Sequence, residues 1–333
     1  MIKYIGSKRR LVPMIGGVVD ALDGVETVLD LFSGSSRVGW ALKERGYRVV
    51  ANDHNTYAWV LARCLVQADA DRVTDEVRER LDRLRDLEPR DGWFTETFCR
   101  RSRYFHPVNG ARIEAAREVI HGWDLDPDVE ATLLTALLKA ADRVDSTTGV
   151  QMAYLKQWAP RAHNPLTLQM PDLLPGPGRA LQQEAWEAAS TEVDLAYLDP
   201  PYNQHSYRSN YHVWETLVRW DEPATYGVAC KREDCRTWKS PFNSKPGIRP
   251  AFEQVLDALR SRYILVSFSN EGRIPRQDME ALLRARGRLT VFEADHPRYV
   301  GARIGIYNPQ GEKVGRVGRL TNREYLFLVD TAG

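Results

Sequence analysis

Apolar side chains recur at helical spacing at Leu11, Met14, Ile15, Val18, Val19 and Leu22, with Pro13 suited to a first turn and Gly24 to an end. The chain therefore opens on an amphipathic helix. Residues 27–32 (Thr-Val-Leu-Asp-Leu-Phe) read as a buried strand, Ser33-Gly34-Ser35-Ser36 as a turn, and residues 37–45 as a helix closed by Gly46. Residues 47–51 give a second strand that ends at Asn52-Asp53. Strand, helix and strand in that order make a βαβ unit and predict a parallel sheet. The next stretch is helical throughout: charged over 74–88, basic over 100–117, and periodic at Val129, Leu133, Leu134, Leu137 and Leu138. It reads as an insertion. The strand–helix rhythm resumes near residues 166–170, followed by a strand over 193–198, a helix over 251–260, a strand over 263–268 and a helix over 277–286. Residues 289–293 and 324–329 are two strands with no helix between them, so they should pair as an antiparallel hairpin with the basic segment 298–319 as its loop.

Composition narrows the class. With 333 residues, 43% hydrophobic, the chain is too long for a disulfide-stapled mini-protein and too apolar for intrinsic disorder. No run approaches the ~18 to 20 apolar residues of a membrane span, so a soluble, cytoplasmic protein is expected. Lys8-Arg9-Arg10 ahead of an apolar stretch superficially copies a secretory signal, but Pro13, Gly16 and Gly17 interrupt the run and no small-x-small cleavage site follows. Cys64, Cys99, Cys230 and Cys235 are scattered, as in a reducing compartment. Cys230 and Cys235 lack a second Cys or His pair, so they read as surface thiols and no metal site is expected.

Forty-six Lys plus Arg oppose 45 Asp plus Glu, which argues against a generic polycation. The distribution says more than the sum. Basic clusters stand at Lys3, Lys8, Arg9 and Arg10, at residues 100–117 (Arg100, Arg101, Arg103, Arg112, Arg117), at 231–249 (Lys231, Arg232, Arg236, Lys239, Lys245, Arg249), and at 298–319 (including Arg303). Aromatics such as Tyr4, Tyr104, Trp238 and Phe242 are interleaved with them, a mixture that suits phosphates and bases.

Two motifs carry chemistry. Gly34 turns a strand into a helix at the carboxyl edge of the predicted sheet, and Asp53, 19 residues further on, ends the next strand, where a carboxylate can accept ribose hydroxyls. The pair points to an adenosine-containing cofactor, and its departure from the spacing of the dinucleotide fingerprint disfavours NAD and FAD. Asp199-Pro200-Pro201-Tyr202 is the more specific. Two prolines cannot donate to a ladder and they fix the backbone, so the turn holds a carboxylate, proline carbonyls and an aromatic ring in set positions. That suits an exocyclic amine: Asp199 accepts one N–H, the Pro200 carbonyl accepts the other, and Tyr202 stacks on the base.

Tyr-Ile-Gly-Ser-Lys at 4–8, Asp-Leu-Phe-Ser-Gly-Ser at 30–35 and Asp-Pro-Pro-Tyr at 199–202, in that order along the chain, resemble the D12-class (alpha-group) DNA adenine N6-methyltransferases, which include the Dam-like enzymes. The run from Asp199 to His212 and the segment Ser267-Phe-Ser-Asn-Glu-Gly272 look closest to the methylases of type IIS restriction–modification systems. The resemblance implies an α/β fold: a Rossmann-like S-adenosylmethionine-dependent methyltransferase sheet with a C-terminal antiparallel hairpin and a largely helical inserted target-recognition domain. On that reading residues 1–66 are the first part of the catalytic domain, 67–150 the insertion, and 151–333 the second part.

The resemblance further implies that Tyr4, Gly6, Lys8, Asp30, Phe32, Gly34, Asp53 and Asp199 bind S-adenosylmethionine, with Lys8 near its carboxylate, and that Asp199, Pro200, Pro201 and Tyr202 carry catalysis. Asn203, Tyr207 and Tyr211 would form the lip of the pocket for a flipped adenine, and Arg9, Arg101, Arg103, Lys231, Lys245 and Arg303 would meet double-stranded DNA. His205 and His212 follow the motif, yet the amine proton becomes acidic only after attack, so a general base is not required of either. A cognate restriction endonuclease is a candidate partner, and the chain is expected as a monomer or weak dimer. Rival readings are an RNA adenine N6-methyltransferase and, more distantly, a nicotinamide-dependent oxidoreductase or a non-catalytic DNA-binding protein. The oxidoreductase leaves the Pro-Pro-Tyr turn unexplained.

Overall fold

The computed structural model describes residues 1–297, 306–307, 313–315 and 321–333. Seven strands form the main sheet: β1 (Thr27–Asp30), β2 (Arg48–Asn52), β3 (Gly178–Leu181), β4 (Glu192–Leu198), β5 (Arg260–Ser269), β6 (Arg288–Pro297) and β7 (Thr321–Asp330). Their spatial order is β3-β2-β1-β4-β5-β7-β6. β1 pairs in parallel with β2 and β4, β2 with β3, and β4 with β5, while β7 runs antiparallel to both β5 and β6. Strand order reverses between β1 and β4, and such a switch point opens a crevice beyond the carboxyl ends of the strands.

The apolar runs in the strands arise because both faces of this sheet are covered. Alternate residues of β4 and β5 go opposite ways. Ala196, Leu198, Ile264, Val266 and Phe268 pack with helices α8 (Ile248–Ala258) and α9 (Arg276–Arg284). Leu195, Tyr197, Tyr263 and Leu265 pack with α1 (Val12–Asp20) and α2 (Arg37–Glu44). α1 begins with Pro13 in its first turn, and α2 ends as expected at Gly46, whose φ of +95° suits glycine. The third core is helical. α3 (Thr56–Ala62), α4 (Ala70–Arg85), α5 (Pro107–Gly122) and α6 (Pro127–Val144) enclose Phe94, Phe98, Tyr104 and Phe105, and α7 (His212–Arg219) from beyond the Asp-Pro-Pro-Tyr turn closes it with Trp214 and Leu217.

One expected strand is absent. Residues 166–170 are irregular, held between Pro165 and Pro171, with the Leu166 N–H donating to Asn109 and the Leu168 carbonyl accepting from Arg85. Side chains of α4 and α5 use the backbone groups a ladder would need. The third strand lies at Gly178–Leu181 instead. The terminal pair is antiparallel as expected, with Thr321 opposite Pro297 and Asp330 opposite Arg288. Most of its basic loop, including Arg303, lies outside the described residues. Cys230 and Cys235, read as surface thiols, are buried because the segment carrying them folds back onto α7 and the Arg208 carbonyl. Among the described residues no cluster of His, Cys, Asp or Glu could hold a metal, and no helix is long and apolar enough to cross a membrane.

Candidate active site

β1, β2 and β4 end at Asp30, Asn52 and Leu198, so Asp30, Asp53 and Asp199 all arrive at the crevice. The cleft there has a volume of ≈1030 Å³ and is lined by Tyr4, Gly6, Lys8, Asp30, Phe32, Gly34, Asp53, Asp199, Pro201 and Tyr207 among the residues singled out from sequence. Its floor is the glycine turn. The Ser33 N–H donates to the Asn52 carbonyl (2.9 Å) and the Gly34 N–H to Asp53 Oδ2 (2.9 Å), which pins the turn to the end of β2. Gly34 has φ +51°, and a Cβ there would stand 3.0 Å from the Tyr4 ring, so only glycine fits. Ser36, at the start of α2, adopts φ +55° with its buried hydroxyl unpartnered, a strained backbone of the kind found at binding sites.

Asp30 is fully buried. Its Oδ2 accepts the Gly39 N–H (2.9 Å), and its Oδ1 has no partner. Burial, partly offset by that hydrogen bond and reinforced by the charges of Asp199 and Asp53, pushes its carboxyl up to about 7. Asp53 is also shifted up by burial, though its bonds from Asn55 and Gly34 hold it down. A buried carboxylate oxygen without a partner, with a raised pKa and at a cleft, marks Asp30 as a candidate binding group.

Lys8 and Asp199 face each other. Lys8 Nζ lies 3.0 Å from Asp199 Oδ1 and 3.8 Å from Glu324 Oε2, so the lysine expected near a cofactor carboxylate is engaged by two carboxylates of the protein itself. Burial alone would push the Lys8 amine down, but Asp199, then Tyr202 and then Glu324 hold it well above the ordinary lysine range. Burial pushes the Asp199 carboxyl up to about 6 against the pull of Lys8, and Glu324 pushes the same way. The Tyr202 ring packs 5.4 Å from that of Phe268, with Lys8 Nζ 5.8 Å from its centroid, and its carbonyl accepts the Arg273 N–H. Pro200 is buried behind it.

Tyr4 belongs to a stack: its ring lies 5.2 Å from Tyr207 and 4.7 Å from Tyr211, and its hydroxyl 3.1 Å from that of Tyr57. Tyr207 lines the cleft, but Tyr211, expected at the lip, is buried, accepting the Ile5 N–H (2.7 Å) beneath Tyr4. The short helix at Tyr207–Asn210 ends before it, which turns its side chain inward. Asn203 stays half-buried at the turn, its side chain accepting the His205 N–H. His212 is buried with Nε2 2.9 Å from the Gln151 carbonyl, and burial lowers it to about 3, so it is a neutral packing residue.

Several cleft residues escaped sequence reasoning. Trp238, expected to face nucleic acid, stacks 4.6 Å from His54, and the Arg208 guanidinium lies 4.4 Å over it. His54 Nδ1 meets Glu184 Oε1 at 3.0 Å. This rim stands beside Asp53 and joins segments over 180 residues apart, a proximity no local pattern carries. Of the residues expected on DNA, Arg9, Arg101 and Lys245 are exposed, Arg103 lies on Trp158 (4.4 Å), and Lys231 reaches Met152 Sδ (3.1 Å). Two members of the basic clusters are core residues instead: Arg117 donates to the Leu217 and Val218 carbonyls, and Arg232 pairs with Asp221 and Asp234.

Known proteins share this architecture in sequence. The type II methyltransferase M.NlaIII of Neisseria lactamica is 30% identical over 90% of this chain and 92% of its own, and M.CviAII of Paramecium bursaria Chlorella virus 1 is 30% identical over the same shares. M.FokI of Planomicrobium okeanokoites is 30% identical over 86% of this chain, which spans 47% of that larger protein. The family model of the D12 class N6 adenine-specific DNA methyltransferases matches residues 4–281, a span that holds the Tyr4–Lys8 element, the glycine turn and the Asp199 turn. The chain belongs to that family, the D12 class N6 adenine-specific DNA methyltransferases.

Proposed function

We propose that the cleft binds S-adenosylmethionine and that Asp199 and Tyr202 receive an adenine flipped out of duplex DNA at a specific site. The observation that carries this is the convergence of Asp30, Asp53 and Asp199 on one crevice, with Asp30 Oδ1 buried and unpartnered. A cationic amino group is what that oxygen lacks. Asp53 Oδ2 keeps acceptor capacity for a ribose hydroxyl beyond its bond from Gly34, and the stacked His54 and Trp238, with Arg208 over the indole, form the rim beside it. Bound there, S-adenosylmethionine supplies a methyl group on a sulfonium sulfur.

The protein's own residues do the rest by orientation and charge. The Asp199 carboxylate accepts one N–H of the target amine and the Pro200 carbonyl the other, which aligns the nitrogen lone pair. Charge that develops on the nitrogen during attack is stabilised by Asp199 in a site from which burial has removed most water. The turn is rigid because two prolines fix it, so little reorganisation is needed. Residues 67–150 serve as the target-recognition insertion, and Arg9, Arg101, Arg103, Lys231 and Lys245 meet phosphates. A restriction–modification setting in the cytoplasm, with a cognate endonuclease, fits relatives named as type II methyltransferases.

The test is methyl incorporation from labelled S-adenosylmethionine into DNA and RNA in parallel, with the DNA product sequenced for N6-methyladenine. Label in RNA alone would refute the DNA reading. Asp199→Asn is expected to lose about 10²- to 10³-fold or more in single-turnover rate while still binding the donor.

A further inference from the structure

Glu324 lies on β7, the strand between β5 and the edge strand β6, opposite Ser269 at the carboxyl end of β5 and beyond the span matched by the family. Its side chain is 8% exposed, and its Oε2 has no hydrogen-bond partner. A carboxylate at an interior strand position is costly unless a charge offsets it. The cation it faces is Lys8, 3.8 Å away, which is also 3.0 Å from Asp199. A buried carboxylate and a partly buried one therefore share one ammonium, and the trio, which includes the residue proposed to meet the target amine, carries a net negative charge.

We propose that Glu324 is a positioning residue for methyl transfer: by sharing the Lys8 ammonium it keeps the Asp199 carboxylate open to accept the N–H of the incoming base. The inference rests on the role given above to Asp199. If Lys8 had Asp199 as its sole partner, the amine would have to displace a buried ion pair to reach the carboxylate. With Glu324 in reach, Lys8 keeps a partner while Asp199 turns its lone pairs to the base. The residual negative charge also favours the positive charge that appears on the attacking nitrogen.

The groups that face Asp199 are Lys8 from the N-terminal turn, Asp30 from β1, Tyr197 from β4, Tyr202 and Tyr207 from the segment after the turn, and Glu324 from β7, with Glu271 behind Glu324 and Tyr202. Glu324 is the one that Glu324→Gln neutralises, and it pushes the Asp199 carboxyl up. The catalytic form is the carboxylate, so activity falls as pH drops through the Asp199 pKa. Loss of the Glu324 charge lowers that pKa and shifts the acid limb to lower pH.

The experiment is single-turnover methylation of duplex DNA across pH by the full chain, with S-adenosylmethionine binding measured by calorimetry to confirm a folded site. Glu324→Gln is expected to slow transfer roughly 10- to 100-fold, to change donor and DNA affinity little, and to move the acid limb to lower pH. Glu324→Asp, which keeps the charge and shortens the reach, should give an intermediate rate with the acid limb where the unaltered protein has it. An unaltered rate in Glu324→Gln, or a slower rate with an unmoved limb, overturns the proposal. If Glu324→Gln binds no donor, Glu324→Asp decides: an acid limb shifted to lower pH there overturns it as well. Methyl transfer by the unaltered protein is the separate arm. Its absence would bring down the assignment of Asp199, whereas transfer with an indifferent Glu324 brings down this inference alone.

Discussion

Asp30→Asn should make the ligand-free protein more stable above neutral pH while it destroys the donor site. The carboxyl is fully buried and its pKa is pushed up to about 7, whereas an unfolded aspartate titrates near its ordinary value. A raised folded pKa means the native state favours the protonated form. The ionised group therefore opposes folding, fully above pH 7, and the opposition fades as pH falls toward 4. The rise to about 7 corresponds to about 4 kcal/mol at pH 8. Asparagine removes the charge and its Oδ1 can still accept the Gly39 N–H, but its amide N–H groups inherit the unpartnered position of Asp30 Oδ1, at a cost of about 1 to 3 kcal/mol. The net gain at pH 8 is about 1 to 3 kcal/mol, or roughly 1 to 4 °C in Tm for a chain of this length.

The pH dependence is the sharper signature. Between pH 8 and pH 5 the native Asp30 takes up a proton that its unfolded counterpart does not, so the advantage of the asparagine variant should shrink by about 2 to 3 kcal/mol. Thermal denaturation of both proteins at the two pH values reads this directly, and calorimetry should show donor affinity lowered at least about tenfold as a charge-assisted bond is lost. A variant that is less stable at pH 8, or whose difference from the unaltered protein does not change with pH, would refute a strained carboxylate at Asp30. Undiminished donor binding would refute its role as the acceptor of a cationic group.

Gly34→Ala forces a side chain into φ +51° and to 3.0 Å from the Tyr4 ring, so it should cost about 1 to 2 kcal/mol in denaturation and weaken donor binding measured by calorimetry. Arg117→Leu strips the Leu217 and Val218 carbonyls of their donor and should lose about 2 to 4 kcal/mol, whereas exposed Arg101→Ala should leave stability within about 0.5 kcal/mol and lower the salt slope of DNA binding by about one. Equal effects of the two on stability would show that burial does not separate them. His212, lowered by burial to about 3, binds its proton in the unfolded chain alone between pH 6.5 and 3, so native stability falls as pH drops there. His212→Gln should remove about 2 kcal/mol of that loss between pH 7 and pH 5, read by chemical denaturation at both values.

Where the sequence was legible, one residue's neighbours along the chain decided the outcome. Val28 and Leu29 are apolar because both faces of β1 are covered, and that strand, the glycine turn and the next strand lie within 26 residues. The Asp199 turn was legible because two prolines restrict the backbone whatever surrounds them. β3 was not legible: Gly-Arg-Ala-Leu has neither alternation nor length, and it becomes a strand through its register with Val49–Asn52 of β2. Residues 166–170 have better strand composition, but side-chain bonds from Asn109 and Arg85 capture their backbone. In the site, Asp30, Gly34, Asp53 and Asp199 were readable as motif positions. Trp238, Arg208 and Glu324 were not, because stacking on His54 and pairing with Lys8 depend on contacts made across most of the chain.

The near-equal totals of basic and acidic residues mean something different once burial is known. Lys3 pairs with Asp145, Arg100 with Asp91, Arg232 with Asp221 and Asp234, and Lys8 with Asp199, while Arg117 serves backbone carbonyls. Lys8, Arg117 and Arg232 are held inside the protein, where a phosphate could take them only by breaking a pair or opening a core, whereas Lys3 and Arg100 make surface pairs that compete only weakly with a phosphate. The clusters are therefore mixed by origin: some of their charge builds the fold and the catalytic pair, and some, as at Arg9, Arg101 and Lys245, faces water. A charge count cannot separate the two, because an arginine that closes a helical core and one that meets a phosphate are written alike. Fewer exposed cations also leave less indiscriminate attraction to DNA, so selectivity must come from what happens at the base. At that point binding and chemistry meet on the proposed role of Asp199, since seating an adenine there requires the carboxylate that Lys8 already holds.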